Sequence, residues 1–246
     1  MTKRIGLVQI AGIGDIIIAL PIADHFEELG YEVVWPIDSR YLPIFQPAKP
    51  SIRFLPIQRD ENEHLETTHF YEPVRLIAEH KCERTVVLYS FLRDMNVYDP
   101  RLSQSLKFDE YKYAIAGVPF SKKWELRYER DMEREERLFG SLNIEGDYLC
   151  FHAQSHDMAE PLKLPAHLTD GLQVIEMTTR SDDEIPLDWL LTLERASKLI
   201  LVDSCFANLV EQMNLPNRKA VIVRNNAQHT PVFKNGWQFL FLEQFK

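Results

Sequence analysis

Short apolar runs alternate with segments of helical period along this chain. Ile5–Ile10 is mostly apolar, as expected of a buried parallel strand. Apolar residues then recur every three or four positions through Ile16–Leu29, which predicts a helix, and Gly30 is placed to end it. Tyr31–Trp35 is the next run rich in β-branched and aromatic residues. A strand, a helix and a second strand in this order predict a right-handed βαβ unit.

The same alternation continues to the last residues of the sequence. The further predicted strands are Ile52–Ile57, Thr85–Phe91, Tyr148–Gln154, Gln173–Thr178, Leu199–Val202, Ala220–Val223 and Trp237–Leu242 (a strand or a closing segment), and the further predicted helices are Tyr71–His80, Pro186–Ala196 and Cys205–Met213. Tyr111–Ala116, followed by Gly117-Val118-Pro119, closes the first series, and a second begins after Asn143–Asp147. The sequence therefore predicts an α/β protein of two Rossmann-like lobes, residues 1–146 and 147–246. We expect ligands in a cleft between the lobes, beyond the carboxyl ends of the strands.

One segment, Lys122–Arg137, is densely charged, with six basic and six acidic residues. Balanced charge favours a solvated helix over a tail that binds polyanions. Trp124, Tyr128 and Met132 repeat every four residues. They are predicted to form the buried stripe of this helix.

Composition narrows the class of protein. The chain has 246 residues, 45% of them hydrophobic, and a net charge of −9, which disfavours nucleic acid as a partner without excluding it. The three cysteines, Cys82, Cys150 and Cys205, form no CxxC or Cys/His pattern, so we expect no disulfide framework, no metal site and no cofactor. No apolar run of membrane-spanning length and no secretory signal appears. We expect a soluble cytoplasmic protein, with peripheral contact at the inner membrane surface left open.

The loop Gly12-Ile13-Gly14-Asp15 is the segment richest in chemical information. Two glycines let a backbone approach a ligand closely, just before the partly positive N-terminus of a helix. A dinucleotide fingerprint is disfavoured because Ile17 stands where its third glycine is needed. The Asp15 carboxylate would repel a pyrophosphate but could accept a proton from a bound hydroxyl. The alternative is that Asp15 only caps the helix.

Three segments together resemble a known family. Ile5–Pro21 (IGLVQIAGIGDIIIALP) resembles the opening of the ADP-heptose:lipopolysaccharide heptosyltransferases, which belong to glycosyltransferase family 9 and have two Rossmann-like lobes (GT-B fold). Residues 151–155 (FHAQS) and 163–165 (KLP) are similar to the first C-lobe strand, the donor loop and the lysine-x-proline segment of that family. Leu201–Asn208 (LVDSCFAN) resembles its strand and D-[ST]-G-x-x-H turn. The likeness covers most of the chain in order, with a shortened C-terminal lobe.

The resemblance implies an inverting, metal-independent transfer of a sugar from a nucleotide sugar to a hydroxyl of a glycan, a lipid-linked molecule or another acceptor. Asp15 would be the general base, in a loop shaped by Gly12 and Gly14. The implied donor-binding residues are Ser155, Lys163, Asp203, Ser204, Cys205, Phe206 and Asn208, the backbone N–H groups of Cys205 and Phe206 facing the phosphates. Cys205 and Asn208 replace the glycine and histidine of the family turn.

Several of these residues also have ordinary structural interpretations. Lys163 is also explained as a surface lysine, and Asp203-Ser204 as a capping pair at a strand-to-helix junction. His152 and His156 could serve the donor loop, but structural or surface roles are favoured because no metal-ligand spacing accompanies them. The adjacent acids Asp182, Asp183 and Glu184 suit charge at a helix start rather than a metal. Arg40, Arg93 and Arg180 lie near predicted strand ends, and Arg93 is the one selected for acceptor or phosphate contact.

Two other functions remain open on the sequence alone. A GT-B-fold nucleotide-sugar epimerase would need a second acid or base opposite Asp15, and none is evident. A non-catalytic nucleotide- or glycan-binding protein derived from a glycosyltransferase is favoured by Cys205 and Asn208.

Overall fold

The chain forms two compact units, Met1–Glu129 and Arg130–Lys246. The structure is a computed structural model and describes residues 2–59, 64–90, 99–155, 158–178, 185–224 and 230–245. Each unit is built on one parallel sheet with helices. No helix in these ranges is long and apolar enough to cross a membrane.

The first unit holds a four-stranded sheet. Its strands are β1 (Lys3–Val8), β2 (Tyr31–Asp38), β3 (Arg53–Ile57) and β4 (Arg84–Val87), and its helices are α1 (Ile13–Glu28), α2 (Leu42–Ala48), α3 (Glu72–Glu79), α4 (Pro100–Ser105) and α5 (Phe108–Ala116). The strand order is β3-β2-β1-β4, and all pairs are parallel. The order reverses between β1 and β4, and ligands of such sheets bind at the carboxyl ends beside the reversal.

The core of the first unit explains why β1 and α1 form as the sequence predicts. Leu7 and Val8 of β1 are fully buried, and α1 is buried from Ile16 to Ala23, as in a helix surrounded by protein. Helix α3 packs closely on β1 at Gly6, where an added Cβ would lie 2.3 Å from Cγ2 of Ile77. This tight packing fixes β1, and with it the loop that follows.

The second unit holds a five-stranded parallel sheet. Its strands are β5 (Tyr148–His152), β6 (Gln173–Met177), β7 (Lys198–Val202), β8 (Arg218–Val223) and β9 (Trp237–Phe241), and its helices are α6 (Met132–Ser141), α7 (Leu190–Arg195) and α8 (Cys205–Gln212). The order is β6-β5-β7-β8-β9. Here the order reverses between β5 and β7, so the expected ligand edge lies where these two strands end.

The division between the units falls before α6, whereas the sequence places it at 146/147, after that helix. Ion pairs hold the start of α6 within the second unit. Arg130 binds both Glu135, at 2.6 Å, and Glu194, at 2.9 Å. Arg134 binds Asp188 at 2.7 Å.

The predicted helix Lys122–Arg137 is wrong. Phe120–Trp124 is a 3₁₀ turn, the chain then leaves helical geometry, and α6 begins only after Asp131. The Asp131 side chain accepts a hydrogen bond from the Arg134 backbone N–H at 3.0 Å, an N-cap that starts a new helix. Met132 is 43% exposed, so it is not part of a buried stripe.

Other differences are smaller. The predicted helix Pro186–Ala196 is a 3₁₀ turn, Pro186–Trp189, that continues as α7. Helices α2 and α4 were not predicted, and Tyr111–Ala116, which was given no element type, belongs to α5. The predicted strand Thr85–Phe91 corresponds to β4, and Phe91 lies outside the described ranges.

Candidate active site

The loop after β1 carries Asp15. Gly12 begins α1 at φ 84°, a backbone conformation that favours glycine, and no side chain caps this helix end. Asp15 is therefore not the N-cap, and that alternative is wrong. It lies in the first helical turn with 39% of its side chain exposed. A Cβ added at Gly12 would lie 2.7 Å from Oδ2 of Asp15, so any other residue there would force the carboxylate to move.

A buried lysine holds the other oxygen of this carboxylate. Nζ of Lys112, on α5, lies 2.9 Å from Oδ1 of Asp15, and the Lys112 side chain is only 3% exposed. The same ammonium donates to Oε1 of Gln9 at 2.6 Å and to the Leu88 carbonyl at 3.4 Å. Gln9 and Leu88 directly follow β1 and β4, so the group lies at the reversal point of the first sheet.

Tyr89 fixes the backbone of the loop. Its hydroxyl accepts hydrogen bonds from the backbone N–H groups of Ile10, at 2.8 Å, and Ala11, at 3.3 Å. Burial raises the pKa of Tyr89 far above its usual range, so the phenol stays neutral. The side chain of Gln9 adds a hydrogen bond to the Ala11 carbonyl at 2.7 Å. The segment between β1 and α1 is thus held rigidly before Asp15.

Arg40 follows β2 at the same sheet edge, as the sequence predicted. It is 56% exposed and pairs at 2.7 Å with Asp38, whose carboxylate is almost fully buried. Burial opposes ionisation of Asp38, but the hydrogen bonds and charge of Arg40 hold its pKa below the usual value. The positive charge of Arg40 is therefore partly neutralised by the carboxylate of Asp38.

In the second unit, His152 and Ser204 meet at the reversal point between β5 and β7. His152 ends β5, and Ser204 occupies the N-cap position of α8. The Ser204 hydroxyl lies 3.0 Å from Nδ1 of His152. Burial, assisted by the positive charge of Arg224, lowers the pKa of His152 to about 4, so the ring is neutral at neutral pH. His152 is thus a buried hydrogen-bond partner of Ser204, in the turn between β7 and α8.

Arg224 ties the Asp203 turn to the loop after β5. It follows β8 and donates through Nη2 to the Asp203 carbonyl at 2.7 Å and through Nε to the Asp203 carboxylate. Its Nη1 donates to the Ser155 hydroxyl at 2.9 Å, and Thr230 donates to Oδ2 of Asp203 at 3.2 Å. Burial raises the pKa of Asp203, and Arg224 opposes that rise. Ser155, Asp203 and Ser204 are therefore brought to one edge of the sheet.

Cys205, Phe206 and Asn208 lie at the start of α8, as predicted. The Cys205 thiol is within hydrogen-bonding range of the backbone N–H groups of Cys205 and Phe206, and burial raises its pKa to about 12. Asn208 donates from Nδ2 to the Ser204 carbonyl at 2.9 Å. The N–H groups expected to face phosphate thus have the thiol beside them.

Other predicted residues are not brought into these clusters. Lys163 is exposed, and its ammonium makes no hydrogen bond or ion pair with the described part of the chain. Arg93, His156, Arg180 and the acids 182–184 lie outside the described residues. Within the described ranges, no group of three or more His, Cys, Asp or Glu side chains could hold a metal ion.

The site residues predicted from the sequence do not include Gln9, Lys112, Arg224 and Thr230. Arg224 carried a usable signal, because it directly follows the buried run Ala220–Val223, where the carboxyl end of a parallel strand collects ligand-binding groups. Lys112 also carried a usable signal. It lies four residues from both Phe108 and Ala116, so in a helix this lysine shares a face with two apolar residues.

Comparison with solved structures identifies the fold. A glycosyltransferase of family 9 from Veillonella parvula aligns with 98% of this chain and 86% of its own, at a TM-score of 0.68 and 14% identity. E. coli ADP-heptose LPS heptosyltransferase II aligns with 97% of this chain and 90% of its own, at 0.62 and 10%. The iron-containing dodecameric glycosyltransferase TibC of enterotoxigenic E. coli aligns with 98% of this chain and 66% of its own, at 0.57 and 14%.

The chain has the fold of these glycosyltransferases. No family model matches the sequence, and no curated protein matches it significantly. At this low identity the similarity establishes the fold, and the chemistry has to be argued from the residues themselves.

Proposed function

We propose that this protein is a glycosyltransferase that moves a sugar from a nucleotide-sugar donor to an acceptor hydroxyl. The observation that carries the proposal is the placement of Asp15, a half-exposed carboxylate held by a buried lysine at the reversal point of the first sheet. The shared fold supports it, because the similar structures are glycosyltransferases and one is named for ADP-heptose.

Asp15 is proposed as the general base. Its Oδ1 is bound to Lys112, and Oδ2 lies beside Gly12. Asp15 accepts the hydroxyl proton as the acceptor oxygen forms a bond to the anomeric carbon and the bond from that carbon to the diphosphate breaks. Attack opposite the leaving group inverts the anomeric configuration, and the bond's electron pair leaves with the nucleoside diphosphate.

The turn at Asp203-Ser204 is proposed as the diphosphate site. Because Arg224 donates to the Ser155 oxygen, the Ser155 hydroxyl hydrogen can be donated to a phosphate. Ser204 and the backbone N–H groups at the start of α8 add donors beside the positive end of a helix. Lys163, which is exposed, would supply a mobile positive charge for the leaving diphosphate.

We further propose that transfer needs no divalent metal, since these donors and Lys163 would balance the leaving charge. TibC, which shares the fold, contains iron, so metal dependence has to be tested directly. Transfer that continues in EDTA supports the proposal. Loss of transfer in EDTA, restored by a divalent cation, contradicts it.

A second candidate is a protein that binds a nucleotide or glycan without turnover. Cys205 favours it, because its thiol lies near backbone N–H groups that a diphosphate would use, at the position where the family turn has glycine. Binding of a nucleotide sugar without product, across a broad panel of acceptors, would support this candidate.

The test begins with thermal unfolding in the presence of ADP-, UDP-, GDP- and CDP-sugars, because a ligand that binds the folded state raises the melting temperature. The donor that raises it is then incubated with acceptors, and the product is detected by mass. Ser204→Ala should reduce the shift, whereas Ser197→Ala, a serine of the same unit bound to Asp147, should not. A response to nicotinamide dinucleotides in place of nucleotide sugars would contradict the proposal.

A further inference from the structure

Lys112 is a buried cation surrounded by oxygen atoms of the first unit. Its side chain is 3% exposed, and its ammonium has three oxygen partners: Asp15, Gln9 and the Leu88 carbonyl. Two of these contacts are hydrogen bonds, to Gln9 and to the Leu88 carbonyl, and the third is the ion pair with Asp15.

Burying an ammonium is costly unless a negative charge compensates it. Asp15 supplies that charge, and the rings of Tyr89 and Phe108 lie beside the cation, each with its centroid at 5.8 Å. The lysine is thus fixed by packing, and the carboxylate is fixed by the lysine.

A comparison inside the same unit separates this pair from a structural one. Lys123 and Asp109 pair at 2.6 Å with both side chains 0% exposed, as expected of an ion pair that serves the core. In the pair of Lys112 with Asp15, the lysine is equally buried but the carboxylate is 39% exposed. A carboxylate that is held by a buried lysine and is itself partly exposed to solvent is suited to act on a ligand.

Gln9 connects the lysine to the loop. Its Oε1 accepts from Lys112 at 2.6 Å, while its Nε2 donates to the Ala11 carbonyl at 2.7 Å. One side chain thus fixes both the ammonium and the backbone just before Gly12. The anchor therefore includes the loop as well as the carboxylate.

We propose that Lys112, held by Gln9, is the positioning residue of Asp15: it holds Oδ1 so that Oδ2 is left to take the acceptor proton. The inference rests on the proposed function. A residue that acts only through Asp15 must lose its effect when Asp15 is removed, which a merely structural role does not predict.

The experiment measures transfer by the full-length protein and its variants at saturating acceptor. Lys112→Met should lower kcat about 10- to 100-fold with little change in the KM for donor, because a misplaced base impairs chemistry more than binding. Gln9→Met, a milder change, should lower kcat less and in the same direction. The control is Lys49→Met, which removes a buried lysine paired with Asp24, a second carboxylate of α1, and should keep a wild-type kcat.

The deciding comparison is made in an Asp15→Asn background. There, Lys112→Met should add little or no further loss of kcat. An equal fold-loss in both backgrounds, or a wild-type kcat in Lys112→Met and Gln9→Met, would overturn the positioning role. If Asp15→Asn itself transfers like the wild type, the proposed base is wrong, so the two failures are distinguishable.

Discussion

Replacement of Gly12 by alanine tests whether the loop shapes the base. Gly12 has φ 84°, so alanine there is strained by about 1–3 kcal/mol. Its Cβ would also lie 2.7 Å from Oδ2 of Asp15. The carboxylate would have to move by roughly 0.5–1 Å to restore ordinary van der Waals contact. Since a displacement of about 1 Å at a reacting group can cost about 100-fold in rate, we expect kcat to fall about 10- to 100-fold.

Gly30 provides the matched control. It follows the other end of α1 at φ 83°, and an added Cβ there has nothing within 4 Å. Gly30→Ala should therefore lower the free energy of unfolding by about 1–2 kcal/mol and leave kcat unchanged. Urea unfolding and initial transfer rates are measured for both variants. A wild-type kcat in Gly12→Ala, or an equal loss in Gly30→Ala, would show that the conformation of Gly12 does not position Asp15.

Two more predictions concern the second unit. The pKa of His152 is about 4 in the folded protein, against a usual 6.5 in the unfolded chain. As the pH falls below about 6.5, the unfolded chain binds a proton at His152 before the folded protein does, so the free energy of unfolding decreases. Relative to His152→Asn, the wild type should lose about 2 kcal/mol of unfolding free energy between about pH 7 and pH 5 in urea titrations; a difference independent of pH would contradict a buried neutral imidazole. Arg224→Met should lower the free energy of unfolding by about 3 kcal/mol by leaving the Asp203 carboxylate buried and unpaired, and should raise the KM for donor about 10-fold by freeing Ser155. An unchanged KM for donor in a folded Arg224→Met protein would show that the Ser155 contact does not serve the donor.

Local patterns in the sequence were enough to predict β1, its loop and α1, the elements that carry Asp15. Ile5–Ile10 is dense in apolar residues and is followed by glycine. The strand β1, its loop and α1 form there because the neighbouring residues alone favour each of these elements. The turn at Asp203-Ser204 was predicted in the same way, from a buried strand that meets a helix. Periodicity failed at Lys122–Arg137 for two reasons. The local N-cap at Asp131 was missed, and the buried pair of Lys123 with Asp109 joins residues 14 positions apart.

The partners of the site residues could not be predicted from short motifs. Gln9 and Lys112 are separated by 103 positions, and Arg224 and Ser155 by 69. Arg224 and Ser155 meet because parallel strands bring their carboxyl ends to one edge of a sheet, and Lys112 reaches Gln9 from helix α5. The motif thus predicted Asp15, whereas the fold was needed to find what holds it.

The proposed mechanism depends on Asp15, which takes a proton from the acceptor during sugar transfer. The most direct test is the transfer rate of Asp15→Asn, which keeps the size of the side chain and removes its capacity as a base. Its kcat should fall about 100- to 10,000-fold, with the KM for donor and the melting-temperature shift by donor unchanged. Transfer by Asp15→Asn at the wild-type rate would contradict the claim.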